Sequence, residues 1–118
     1  MADTTISGIE TVSAEELIKA WGANPYKAQK TYQGRTFKLC GEIYNITNKN
    51  GVPLIEFPPY AITSGYAQVY CYLSVDDPML ADVEAGGNVA IQGCISEVDT
   101  GRPYPAYKVT DCKIISAN

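Results

Sequence analysis

Three tyrosines alternate with small or polar residues in Tyr66-Ala67-Gln68-Val69-Tyr70-Cys71-Tyr72-Leu73. In an extended chain successive side chains point to opposite faces. Tyr66, Gln68, Tyr70 and Tyr72 therefore share one face, and Ala67, Val69, Cys71 and Leu73 share the other. A tyrosine row on a face otherwise expected to meet solvent has two uses. It can pack under another element, since aromatics suit β structure, or it can act as a platform on which planar ligands stack. Four cysteines, Cys40, Cys71, Cys94 and Cys112, carry the other chemistry. None lies in a Cys-x-x-Cys pair, so the spacing does not point to zinc.

Catalytic chemistry is poorly supplied. The chain has no histidine, which removes the commonest general base and the commonest metal ligand. No nucleophile elbow, phosphate loop or dinucleotide fingerprint is present. Gly86-Gly87 is a helix stop rather than a phosphate cradle. Asp76-Asp77 looks like a pair of carboxylates, but it precedes Pro78 and reads as helix capping. The expectation is a non-catalytic protein with no cofactor. Asn45-Ile46-Thr47 fits a glycosylation sequon, which matters only in a eukaryotic secretory setting.

Composition bounds the partners. The chain has 118 residues, 46% hydrophobic and 19% charged, which suits one folded domain with a thin core. Net charge is −4 with nine Lys and Arg in total, so nucleic-acid binding requires a local basic patch. No stretch approaches the ~20 apolar residues of a membrane span. Met1-Ala2-Asp3-Thr4-Thr5-Ile6 lacks the regions of a signal peptide. If Met1 is the native start the protein is cytoplasmic; if it replaces a signal peptide, the protein is extracytoplasmic.

The elements that position these residues follow from periodicity and punctuation. Residues 1–12 form a flexible arm, and residues 13–118 a single domain. Ser13-Ala14-Glu15-Glu16 is a capping box, with Val12 stapling onto Leu17. Leu17, Ile18 and Trp21 then share a helical face. Asn24 caps a second helical segment from Pro25 to Tyr32, ended by Gly34. Trp21 and Tyr32 read as core packing. Thr36 to Ile46 alternates as one long strand, with Phe37, Leu39, Gly41 and Ile43 on the apolar face. Gly41 permits a bend or a close backbone approach, so the two halves of this strand can pair with different neighbours. Asn50-Gly51 marks a hairpin into a second strand, Val52 to Phe57. An irregular loop over residues 58–65 carries Tyr60, and Tyr66 to Leu73 is the third strand. A short helix from Met79 to Glu84 leads to the fourth strand, Val89 to Ile95. After a loop over residues 99–105, Tyr107 to Ile115 is the fifth.

The fold class is therefore mainly β: a five-stranded OB-fold Greek-key barrel with an N-terminal helix and a short helix between strands three and four. Several segments resemble the tRNA_anti-like OB-fold family of bacterial and archaeal proteins. They are Val12-Ser13-Ala14-Glu15-Glu16-Leu17, Ala28, Tyr32-Gln33-Gly34, the strand ending at Gly41, Val69-Tyr70-Cys71, Val89-Ala90-Ile91-Gln92-Gly93-Cys94, and Val109-Thr110-Asp111-Cys112-Lys113-Ile114. The resemblance runs from about Val12 to Ile115. It implies an OB barrel with an added N-terminal helix, and many members look like exported lipoproteins. This chain departs from that pattern in lacking a lipobox or signal and in the longer stretch from Pro58 to Gly65.

OB-folds bind on the face of strands two and three, framed by the loops between strands one and two and between strands four and five. That arrangement implies a ligand site of Tyr66, Tyr70 and Tyr72, with Lys49, Arg102 and Tyr104 from the loops and Lys38 and Lys108 at the margins. Aromatics with a few cations suit single-stranded nucleic acid or another oligomeric ligand. The alternative is a protein–protein interaction module, an inhibitor or cell-envelope-associated domain, because tyrosine is enriched in interfaces. Neighbouring strands in such a barrel offer the disulfides Cys40–Cys94 and Cys71–Cys112. Cys94–Cys112 competes with these, as do four buried thiols in a reducing compartment.

Overall fold

The computed structural model describes residues 10–62, 65–98 and 106–117. Strand β1 (Glu10–Ser13) leads into helices α1 (Ala14–Ala23) and α2 (Pro25–Tyr32). Strands β2 (Thr36–Glu42), β3 (Asn45–Lys49), β4 (Val52–Glu56), β5 (Tyr60–Ile62) and β6 (Gly65–Leu73) follow. A 3-10 turn at Leu80–Asp82 then precedes β7 (Asn88–Val98) and β8 (Ala106–Ala117).

Both helices start where their capping residues place them. Ser13 Oγ accepts from the Glu16 N–H at 3.1 Å, and Glu16 Oε1 accepts from the Ser13 N–H at 3.1 Å. These bonds satisfy N-terminal amides that have no partner within the helix. Asn24 Oδ1 accepts from Tyr26 and Lys27 at the start of α2, with Pro25 at its first position. Gly34 adopts a left-handed φ of 83° just past α2, a conformation that costs glycine little.

The sheet runs in the order β1-β2-β7-β8-β6-β4-β3, with β5 paired to β6 alone. The expected five strands are all present, but the described residues form eight strands, and among them the hydrogen-bonded path does not close. Three differences account for the count. The expected first strand is divided into β2, which pairs with β7, and β3, which pairs with β4. The division falls at Ile43 and Tyr44 rather than at Gly41. There the Ile43 N–H donates to Gly87 O and the Tyr44 N–H to Glu56 O, so the chain changes partners between consecutive residues. The other two are β1 and β5. Glu10, Thr11 and Val12, expected in a flexible arm, pair in parallel with Phe37, Lys38 and Leu39; the rest of that arm lies outside the described residues. Tyr60, expected in an irregular loop, pairs with Ala67.

Gly41 serves neither the bend nor a close backbone approach; it makes room for a side chain. A Cβ there would lie 3.0 Å from the Phe57 ring. The short helix expected from Met79 to Glu84 is only the 3-10 turn. Asp77 secures it, accepting from the Met79 N–H at 2.9 Å and from the Ile114 N–H of β8 at 3.0 Å.

The core lies on the inward face of the curled sheet, where Leu39, Ile55, Val69, Ile91 and Val109 are all fully buried. Helix α1 rests against β1 and β2 on one side and β5 and β6 on the other. It adds Leu17 and Ile18 to the same cluster, and Trp21 and Tyr32 pack against it partly buried. The helix thus covers the inward side of the sheet. Apolar burial of this kind contributes roughly 1.5–3 kcal/mol per large side chain.

Candidate functional site

Across β3, β4 and β6 the sheet register builds two rows of side chains. Thr47 lies opposite Leu54, and Leu54 opposite Tyr72; Asn45 lies opposite Glu56, and Glu56 opposite Tyr70. Directly opposed side chains on one face sit close enough to interact. Tyr70, Tyr72, Leu54 and Thr47 help to bound a concavity of about 480 Å³. Its lining consists of Thr47, Asn48, Lys49, Leu54, Glu56, Tyr70 and Tyr72. Leu54 forms an apolar floor and is 6% exposed although it belongs to the outward row.

Polar tethers hold the wall. Tyr70 Oη donates to Gln68 Oε1 at 3.0 Å. Gln68 Nε2 in turn donates to Phe57 O at 3.0 Å and, over a longer 3.4 Å, to Glu56 Oε1. Burial first, then the nearby Glu56 carboxylate, pushes the Tyr70 hydroxyl above its ordinary pKa, which keeps it protonated as a donor. The Lys108 ammonium sits 5.4 Å from the centroid of the Tyr72 ring, within cation–π range. Because β8 and β4 flank β6 on opposite sides, Lys108 reaches Tyr72 from the side away from the groove.

The expected site residues divide into three groups. Tyr70, Tyr72 and Lys49 meet in the groove, and Lys108 joins them through Tyr72. Tyr66 and Lys38 do not line it. Tyr66 is opposite Ala61 of β5 and 59% exposed, and Lys38 is opposite Gln92 on β2, with β7 and β8 between it and β6. Arg102 and Tyr104 lie outside the described residues. Four lining residues escaped the sequence reading, namely Thr47, Asn48, Leu54 and Glu56. The signal for Leu54 and Glu56 was the period of two: Ile55 and Phe57 face inward, so their neighbours in the strand face the tyrosines.

Helix α1 does not cover the tyrosines. Its Leu17 and Ile18 share a core with Ala67, Val69 and Cys71 on the inward face of β6, and Tyr70 and Tyr72 are on the opposite face.

All four thiols are free. Cys71 and Cys112 both lie in the core, where Cys112 Sγ donates to Val109 O at 3.4 Å; the neighbouring Cys112 thiol, then burial, push the Cys71 thiol well above its ordinary pKa. The expected pairing of Cys40 with Cys94 does not fit the register. Cys40 is opposite Ala90 and Cys94 opposite Thr36, an offset of about 13 Å along the strands, whereas disulfide-bonded Cα atoms lie within about 7 Å. A smaller concavity of about 250 Å³ lies beside Cys40, Asn88 and Ser116. Among the described residues, no group of three or more His, Cys, Asp or Glu side chains could hold a metal ion, and no helix is long and apolar enough to cross a membrane.

The sequence profile of the tRNA_anti-like family matches residues 1–104. This chain belongs to the tRNA_anti-like family. A solved structure similar to this tRNA_anti-like protein is that of a Klebsiella pneumoniae lipoprotein supposed to bind nucleic acid. The two superpose with a TM-score of 0.66 at 19% identity, covering 98% of this chain and 99% of the other. At that identity the likeness is one of fold. No curated protein matches the chain in sequence.

Proposed function

We propose that this tRNA_anti-like protein is a non-catalytic binding module that takes single-stranded nucleic acid across β3, β4 and β6. The observation that carries the reading is the convergence of Tyr70, Tyr72 and Lys49 on one groove, with Lys108 placed against the Tyr72 ring. Base stacking on aromatic side chains contributes ~1–3 kcal/mol per base and tolerates sequence. Lys49 at the rim and Lys108 beyond Tyr72 are positioned to meet phosphates on either side of a stacked base.

Strand order supports the same reading. The path β2-β7-β8-β6-β4-β3, with β3 continuing the chain of β2, is what a five-stranded OB barrel gives when its first strand serves both ends. In that correspondence β4 and β6 are strands two and three, whose outer face is the usual OB binding surface. The name of the Klebsiella lipoprotein points the same way.

The chain's net charge of −4 limits affinity. Two lysine–phosphate contacts at about 0.7 each give a slope of log K against log salt near −1.4. Fluorescence anisotropy with labelled single-stranded DNA and RNA at low salt tests the proposal. Saturable binding with a shallow salt slope is expected. No change up to roughly 100 µM protein, the weak end of non-specific affinity, overturns it.

A further inference from the structure

We propose that Glu56 makes the groove selective for bases that present a hydrogen-bond donor, so that it takes cytosine over thymine or uracil. The inference rests on the nucleic-acid reading above and specifies its chemistry. Glu56 is half-buried in the groove lining, between Asn45 of β3 and Tyr70 of β6. A carboxylate only accepts hydrogen bonds. Its hydrogen bond from Gln68 Nε2 is long at 3.4 Å, against about 2.7–2.9 Å for strong charge-assisted bonds. The ion pairs among the described residues, Lys19–Glu15 and Arg35–Glu10, do not involve it.

The neighbouring polar groups leave the same demand. The Tyr70 hydroxyl proton is given to Gln68, and both described bonds from Gln68 Nε2 run to protein oxygens. The wall beside Glu56 therefore offers acceptors; the donors of the lining, the Thr47 hydroxyl, the Asn48 amide and the Lys49 ammonium, lie further along β3, opposite Leu54, Pro53 and Val52. Cytosine presents an amino group at position 4 where thymine and uracil present a carbonyl oxygen. Single-stranded bases expose these edges to protein. An amino group satisfies Glu56, whereas a carbonyl oxygen places lone pairs against a carboxylate and leaves both undersatisfied.

Oligo-dC and oligo-dT of equal length form the decisive pair, since both are pyrimidines and differ at that edge. Wild type is expected to bind oligo-dC about tenfold more tightly, equivalent to ~1.4 kcal/mol. Glu56→Gln keeps the shape and supplies both a donor and an acceptor, so it should narrow the gap by tightening oligo-dT. Equal affinities in wild type, or a gap that survives Glu56→Gln in a protein with an unchanged melting curve, overturns the selectivity and leaves the binding module standing. No binding of either oligomer overturns both.

Discussion

The two faces of β6 are built from similar apolar and aromatic material and are held in place differently. Inward, Val69 and Cys71 have no exposed surface, and Ala67 and Leu73 have almost none. Side chains from β2, β4, β7, β8 and α1 fill the space around them, and close packing sets their positions. Outward, Tyr70 and Tyr72 are half-buried beside an unfilled concavity. A relay through Gln68 holds the first, and the second lies between Lys108 and Leu54. The inner face spends its apolar surface on folding. The outer face is kept in shape by polar tethers while its surface stays open. Substitutions should therefore separate stability from binding according to the face they alter.

The largest effect belongs to Phe57, which is fully buried at the end of β4 and packs against Gly41. Phe57→Ala removes that ring and leaves a cavity, with an expected loss of ~3–5 kcal/mol in urea unfolding. A loss below about 1 kcal/mol would mean that the inward face is not close-packed there, and the contrast between faces would fail. Gly93→Ala tests the same packing by adding volume. The new Cβ would meet Val109 Cγ1 at 2.6 Å, Cys112 Sγ at 2.9 Å and the Thr110 carbonyl at 3.3 Å. These neighbours include backbone and lie where β8 carries an extra residue against β6 and β7, so a cost of ~1–3 kcal/mol is expected. Replacement of both Val109 and Cys112 by alanine in the Gly93→Ala background should recover part of the clash component, which chemical denaturation would resolve.

Tyr107 sharpens the comparison from within the core. Its hydroxyl donates to the Leu17 carbonyl of α1, and its ring meets Tyr32 edge-on at 6.4 Å. Burial, and then Tyr32, push its pKa far above that of a free tyrosine. A raised pKa means that the protonated form is favoured by folding. The associated stability is full below about pH 10, the unfolded tyrosine value, and is lost as pH climbs beyond it. Tyr107→Phe should cost about 1 kcal/mol at neutral pH and flatten the alkaline decline measured by thermal melts from pH 8 upward. An unchanged alkaline slope would assign that decline to other groups.

How much of this was legible in the sequence differs between the faces. Local rules placed the helices, because capping satisfies amides within three residues of Ser13 and Asn24. Alternation placed Tyr70 and Tyr72 on the face opposite Val69 and Cys71. Partner exchange at Ile43 and Tyr44 was not legible, since it depends on Gly87 and Glu56, which are distant in the chain. Nor was β1, whose four residues form a strand only against β2. The same limit hid the groove: Glu56 and Thr47 gain their meaning from cross-strand register with Tyr70 and Tyr72. Register also removed Lys38 from the groove, because β2 and β6 are separated by two strands.

The smallest effect on folding, and the most informative one for the outward face, should come from comparing Tyr72→Ala with Tyr66→Ala. Both residues alternate on the same face of β6, so the sequence treats them alike. The structure does not: Tyr72 lines the groove with Lys108 against its far side, whereas Tyr66 stands 59% exposed opposite Ala61. Each substitution should shift unfolding by at most about 1 kcal/mol, since neither residue lies in the packed core. Removal of one stacking ring weakens single-strand binding by ~1–3 kcal/mol, or about 5- to 150-fold in Kd. Tyr72→Ala should show that loss by anisotropy, Tyr72→Phe should retain most of the affinity, and Tyr66→Ala should bind as wild type does. If Tyr66→Ala costs as much as Tyr72→Ala, the ligand follows the whole strand rather than the groove. The concavity beside Glu56 would then not be what selects it.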